Sequence, residues 1–256
     1  MNQNKIGIFD SGFGGLTVMK AIRSLLPHEN IVYVGDTAHL PYGTKSRDTI
    51  LRYSLEIATF LSEQDIKVLV VACHTACSFA LSELQKKIAV PVLGITTATI
   101  EEVARTPANK MALLATRGTI SSGMYQNALQ NLIPIPCPLL VSLVEEGYID
   151  HPLTELAIQE YLLPLKNQKI DTLILGCTHF PLLQSQIQRA LPSHIQIIDP
   201  SKHCAMSLKK LLEDRHLLNS QTSAPHYQFF VSDDPEKFRL LGNTFLGSPI
   251  EQVHQM

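Results

Sequence analysis

Two cysteines stand at matched places in this chain: residues 66–75 read IKVLVVACHT and residues 170–179 read IDTLILGCTH. Each stretch is a run of β-branched and aliphatic residues that ends in a small residue, Ala72 or Gly176, with a cysteine directly after it. Such runs suit strands buried on both faces. Cys73 and Cys177 are therefore expected at strand C-terminal ends, the edge where open α/β sheets bind ligands. A thiol in front of a helix N-terminus is expected to fall below the ordinary pKa of about 8.5, and His74 and His179 stand close enough to help. Two such thiols across a cleft form an acid–base pair. One, as thiolate, takes a proton from a carbon atom; the other, as thiol, returns one to the opposite face, and the stereocentre inverts.

Other groups gather at the same edge. Asp10 and Ser11 follow the first strand, and Asp36 and Glu145 are expected after the second strand of each half. Thr75, Thr116, Thr119 and Thr178 offer hydroxyls and amides at helix starts, where a carboxylate is well placed. The turn Pro41-Tyr42-Gly43 sits on a loop, residues 35–44, long enough to reach over a cleft. Rival chemistries fit less well. A zinc site of Cys73, Cys77, Cys177 and His179 would have no CxxC pair and a tight Cys177–His179 spacing, and a redox dithiol also wants CxxC. Gly12 occupies the place where an Asp10 phosphate nucleophile would need its second acid. The glycines at 12, 14 and 15 match neither a dinucleotide fingerprint nor a P-loop. No strand end presents the lysine that a pyridoxal cofactor needs. Cys77 reads as core, and Cys137 and Cys204 as structural residues outside the strand-end pattern.

The elements that must position these groups alternate strand and helix, which calls for parallel sheets with covered faces. Strands are expected at 6–9, 31–34, 66–72, 90–95, 111–115, 139–143, 170–176, 195–198, 227–231 and near 250–253. Helices are expected to end near Leu26, Glu63, Lys87, Leu132, Leu165, Ala190, Leu212 and Leu246, and residues 219–224 (NSQTSA) to be disordered. The two cysteine stretches are 104 residues apart, and the same offset lays VPVLGI (90–95) on HIQIID (194–199). The fold expected is α/β with two similar lobes, each a mostly parallel sheet flanked by helices, and an active site in the cleft between them. Residues 1–96 with 206–256 would form one lobe and 97–205 the other. Among 256 residues the net charge is −2, Trp is absent and five cysteines occur. That balance gives no reason to expect nucleic acid or a membrane surface as partner. No apolar run approaches a membrane span, and the N-terminus enters a strand with no room for a signal peptide. A cytoplasmic protein with free thiols is expected.

The motifs DSGFGGL (10–16), PYG (41–43), CHTA (73–76), LVEEG (143–147) and GCTHFPLL (176–183) resemble, in the same order, those of the bacterial glutamate racemases. These belong to the cofactor-independent aspartate/glutamate racemase superfamily. The resemblance implies a two-lobed α/β fold and interconversion of L- and D-glutamate without cofactor or metal, supplying D-glutamate for peptidoglycan. It also implies Cys73 and Cys177 as the catalytic acid/base residues, with Asp10 and His179 assisting and Glu145 a weaker candidate. Ser11, Pro41, Tyr42, Gly43, His74, Thr75, Thr116, Thr119 and Thr178 would hold the substrate beside them. Family members often form homodimers, although nothing in this chain marks an interface. His74 departs from the family's Asn after the first cysteine. Two alternatives follow: a relative acting on aspartate or a hydantoin, or a ligand-binding relative with impaired catalysis.

Overall fold

The computed structural model describes residues 4–105, 110–220 and 224–256. The chain runs β1 (Lys5–Asp10), α1 (Leu16–Leu25), β2 (Ile31–Gly35), α2 (Arg47–Ser62), β3 (Ile66–Val71), α3 (His74–Lys87), β4 (Val92–Gly94) and α4 (Ile95–Arg105). It continues through β5 (Met111–Ala115), α5 (Arg117–Ser121), α6 (Met124–Ala128), β6 (Leu132–Pro136), α7 (Pro138–Glu145), α8 (Pro152–Leu162), β7 (Thr172–Gly176), α9 (Gln184–Arg189) and β8 (Gln196–Ile198). It ends with α10 (Pro200–Asp214), β9 (Tyr227–Val231), α11 (Pro235–Leu246) and β10 (His254–Gln255).

Among the described residues the strands form two sheets, ordered β10-β9-β2-β1-β3-β4 and β6-β5-β7-β8, and every pairing is parallel. The run β2-β1-β3-β4 recurs as β6-β5-β7-β8, and β4 maps on β8 at the sequence offset of 104. Both central strands of the repeat, β3 and β7, are buried throughout, as their unbroken apolar runs require. Because all strands are parallel, each sheet presents its loops and helix starts along one edge. Helix α10 leaves the second sheet and packs on α1 and α4; β9, α11 and β10 then return to the first sheet and its helices.

Three expectations are corrected. The second strand of the second sheet is β6, not residues 139–143. Cys137 N–H donates to Ala115 O across the pair at 2.8 Å. Alternation therefore turns Pro134 and Pro136, which have no N–H, toward the free edge, where proline is tolerated. The run PLLVSLVE instead forms α7, with Pro138 in the first turn and Leu140, Val141 and Val144 buried on one face; an apolar run of this length does not reveal its own period. The helix expected to reach Leu132 stops at Gly123, whose φ of 72° is left-handed, and resumes as the short α6. Near the C-terminus Ile250 is a buried anchor whose N–H bonds Asn243 Oδ1 at 2.9 Å, and the strand comes later, as β10. Of the segment expected to be disordered, residues 221–223 lie outside the described residues, while Asn219 N–H bonds Glu29 Oε1 at 2.8 Å.

Candidate active site

Cys73 follows β3 as the N-cap of α3, where its Sγ accepts from Ala76 N–H at 3.4 Å. It donates to Ser11 Oγ at 3.4 Å. The helix start does not lower its pKa as the sequence suggested. Burial and the neighbouring Asp10 carboxylate push the thiol well up, against the pull of Ser11 and the Ala76 N–H. Cys73 is held as a thiol.

Cys177 has different company. His179 Nδ1 lies 3.7 Å from its Sγ, and His179 Nε2 lies 2.9 Å from Glu145 Oε1. Burial disfavours charge on this ring, but the hydrogen bonds and negative charges of Cys177 and Glu145 together outweigh it and raise its pKa to about 10. At neutral pH the ring is an imidazolium that donates to both neighbours. Glu145 reaches this place from the end of α7 rather than from a strand.

Asp10, at the end of β1, is fully buried. Burial raises its carboxyl pKa; His179 and the N–H groups of Gly15 and Gly12 oppose the rise. Gly12 N–H donates to Oδ2 at 2.9 Å and Thr178 Oγ1 to Oδ1 at 3.4 Å. Across the cleft, Thr75 Oγ1 of α3 meets Thr116 Oγ1 at 2.8 Å and Thr119 Oγ1 at 3.1 Å, both at the start of α5. Tyr42 donates to Asp36 Oδ2 at 2.6 Å, and Asp36 also accepts from Ser232 at 2.7 Å. That buried carboxylate thus anchors the loop carrying Pro41 and Gly43. A Cβ on Gly43 would come within 2.7 Å of Thr116 Cβ, so glycine permits this contact between the lobes.

Ser11, Pro41, Tyr42, Gly43, Cys73, His74, Thr75, Thr116, Glu145, Cys177, Thr178 and His179 all line one cavity between the sheets, of about 20 Å³. That is room for about one water. Asp10 and Thr119 stand directly behind it, bonded to Thr178 and Thr75. A wider groove, about 940 Å³, runs past Ile170, Asp171, His194 and Ile195 at the N-terminal ends of β7 and β8. It holds no thiol and lies at the edge opposite to the one parallel sheets use for ligands, so the narrow cleft is the candidate site.

Of the other cysteines, Cys77 is buried and donates to Val71 O at 3.2 Å, and Cys204 is buried on α10. Cys137, expected away from the strand ends, follows β6 directly and donates to Ile135 O at 3.4 Å. Among the described residues no cluster of three or more His, Cys, Asp or Glu is arranged to hold a metal ion, and no helix is long and apolar enough to cross a membrane. The sequence did not single out Tyr125, whose hydroxyl is 2.9 Å from His74 Nδ1. It also left unseen the role of Asp36 under Tyr42. The His74–Tyr125 contact joins residues far apart in the chain, and neither Tyr125 nor Asp36 has a motif around it.

The model of one family, described as Asp/Glu/Hydantoin racemase, matches residues 6–207. A glutamate racemase of Geobacter metallireducens is 42% identical over 262 aligned positions, covering 98% of this chain and 96% of the relative. Among solved structures, glutamate racemase from Francisella tularensis in complex with D-glutamate aligns with a TM-score of 0.93 at 38% identity, over 100% of this chain and 98% of that one. The Escherichia coli glutamate racemase, in complex with L-glutamate and the activator UDP-MurNAc-ala, aligns with a TM-score of 0.79 at 30% identity, over 99% and 98%.

Proposed function

The chain belongs to the Asp/Glu/Hydantoin racemase family and is an amino-acid racemase, and from that premise we propose that it interconverts L- and D-glutamate by a two-base mechanism on Cys73 and Cys177. The observation that carries this reading is the unequal surroundings of two equivalent thiols that line one cleft. Cys177 is paired with the His179 imidazolium and Cys73 is a buried thiol beside Asp10, so their neighbours already distinguish the two thiols before any substrate arrives.

Cys177 takes the Cα proton of L-glutamate as its Sγ–H bond forms and the Cα–H bond breaks. The electron pair left on Cα is protonated from the opposite face by Cys73, giving D-glutamate. The pair is then inverted, Cys73 as thiolate and Cys177 as thiol, which is the state that accepts D-glutamate for the reverse reaction. Asp10 is placed to relay the Cys73 proton, and His179 with Glu145 to relay that of Cys177. Ser11, Thr75, Thr116, Thr119 and Thr178 supply hydroxyls and helix-start amides for the two carboxylates, and the anchored Pro41-Tyr42-Gly43 turn closes over them. Neither step calls for a cofactor or metal. We assign residues 1–96 with 206–256 to one lobe and 97–205 to the other, and give the enzyme the role of supplying D-glutamate for peptidoglycan. The relatives solved with D- and L-glutamate support glutamate over aspartate or a hydantoin.

The test is chiral chromatography of L-glutamate, L-aspartate and a hydantoin, each incubated with purified protein and no added cofactor. D-Glutamate formed well ahead of the other products is the expected result. A racemic product from aspartate or the hydantoin alone would overturn the substrate assignment.

A further inference from the structure

Asp10 and Ser11, the two groups that act on Cys73, lie in one turn, and a buried hydroxyl holds that turn from behind. β1 and β2 pair with Ile8 beside Tyr33 and Asp10 beside Gly35, so the side chains of Asp10 and Tyr33 stand on the same face of the sheet. Tyr33 is fully buried, its ring packed against Phe229 and Phe238 at centroid distances of 6.4 and 5.8 Å. A buried tyrosine needs a partner for its hydroxyl, and this one donates to Gly12 O at 2.8 Å. Burial, followed by the charges of Asp10 and Cys73, pushes its pKa well up, so the proton that makes the bond stays in place. Gly35 leaves room for the carbonyl: a Cβ there would come within 2.5 Å of Gly12 O. Gly12 N–H in turn donates to Asp10 Oδ2 at 2.9 Å, and Ser11, the residue between, accepts from Cys73 Sγ at 3.4 Å.

We propose that Tyr33 is a positioning residue for proton transfer at Cys73, its hydroxyl pinning the Asp10-Ser11-Gly12 turn through the Gly12 carbonyl. The inference rests on the reading of Cys73 as one of two bases that act on glutamate. Gly12 has no Cβ to restrict its backbone. Once the hydroxyl is gone the residue is free to turn, and its N–H to leave the Asp10 carboxylate. Ser11 then loses its fixed place beside the thiol as well. Cys177 answers to different groups, His179 and Glu145, which follow β7 and end α7. The pin therefore belongs to one of the two proton transfers. Phe229 and Phe238, from β9 and α11, hold the ring, so the returning C-terminal segment supports the turn from the far side of Tyr33. Tyr33 does not line the cleft, and its hydroxyl should therefore matter to kcat and not to KM.

L- and D-glutamate have equal free energies, so kcat/KM must fall by the same factor in both directions, and rates alone do not tell which thiol is slowed. Deuterium at Cα does, because Cys73 takes it from D-glutamate and Cys177 from L-glutamate. Tyr33→Phe keeps the ring and its packing, and is expected to lower kcat about tenfold with KM within about threefold. Its primary isotope effect on kcat/KM should rise for deuterated D-glutamate, whose C–D bond breaks at the slowed group, and fall for deuterated L-glutamate. Gly35→Ala keeps the hydroxyl but crowds the carbonyl it binds, and should move the two isotope effects the same way. The turn is also read without turnover. In the full ¹⁵N-labelled chain the Gly12 amide should exchange with D₂O at least about threefold faster in Tyr33→Phe than in wild type. Unchanged exchange, a wild-type kcat, or a lower kcat with neither isotope effect altered would each overturn the proposal. Exchange needs no substrate, so a failure to racemise glutamate would be distinguishable from a failure of this assignment.

Discussion

At the scale of single residues, two cysteines at equivalent positions of a repeat have unlike neighbours. Asp10 and burial keep Cys73 protonated, while the His179–Glu145 pair offers Cys177 a cation. General acid–base groups contribute about 10²–10⁴-fold each, so Cys73→Ala and Cys177→Ala should each lower kcat/KM by at least that much in a chiral assay of glutamate. Near-wild-type turnover by either variant would contradict the assigned roles. His179 also leaves a mark on stability. Its folded-state pKa of about 10 exceeds the ordinary value of about 6.5, so folding draws a proton onto the ring between those limits. The stabilisation is fully present below about pH 6.5 and is lost as pH rises through about 10. In urea denaturation the stability gap between wild type and His179→Gln should be widest near pH 6 and shrink towards pH 10; a gap that does not vary with pH would count against a charged His179. The sequence showed the two thiols, Asp10, Glu145 and His179 because they sit in local motifs. It misjudged the Cys73 pKa because burial and the Asp10 charge, which outweigh the helix start, are properties of the closed cleft rather than of the strand–helix junction.

At the scale of elements, the repeat made most strands legible, since β3 and β7 are buried on both faces and read as unbroken apolar runs. It failed at β6 and α7, where a proline-bearing edge strand precedes an apolar helix and neither shows a clear period. It also could not show how the last third of the chain is fastened. Lys67, in β3, has its ammonium 2.5 Å from Glu29 Oε2 before β2, with side-chain exposures of 1% and 2%. The same ammonium donates to Leu217 O at 2.7 Å, beyond α10. This buried pair joins the first sheet to the segment that brings β9 back to it. Removing one partner of a buried pair strands the other charge and costs about 3–5 kcal/mol, while replacing both with apolar residues is often close to neutral. Lys67→Met should therefore be destabilised by about 3–5 kcal/mol in urea denaturation, and Lys67→Met with Glu29→Met should recover most of the loss. Equal stability of the single and double variants would show that the stranded charge is not the cause.

At the scale of the whole molecule, the C-terminal edges of two sheets meet so closely that the cavity between them is about 20 Å³, room for about one water. Gly14 sets how near they come. A Cβ there would lie 2.6 Å from His179 Nδ1, and closer still to Thr178 Oγ1, while Thr17 Oγ1 beside it donates to Thr178 O at 3.0 Å. Gly14→Ala should leave the circular dichroism of the fold unchanged but displace His179 from Cys177. A misplacement of about 1 Å costs on the order of 10²-fold in rate, and a fully active Gly14→Ala protein would contradict this closure. The central claim is that two different groups handle the Cα proton on opposite faces. Its most direct test is the isotope content of product and residual substrate after L-glutamate has turned over to low conversion in D₂O. The account predicts D-glutamate deuterated at Cα alongside L-glutamate that keeps its protium; D-glutamate that retains the original protium would show a single base returning its own proton, and would contradict it.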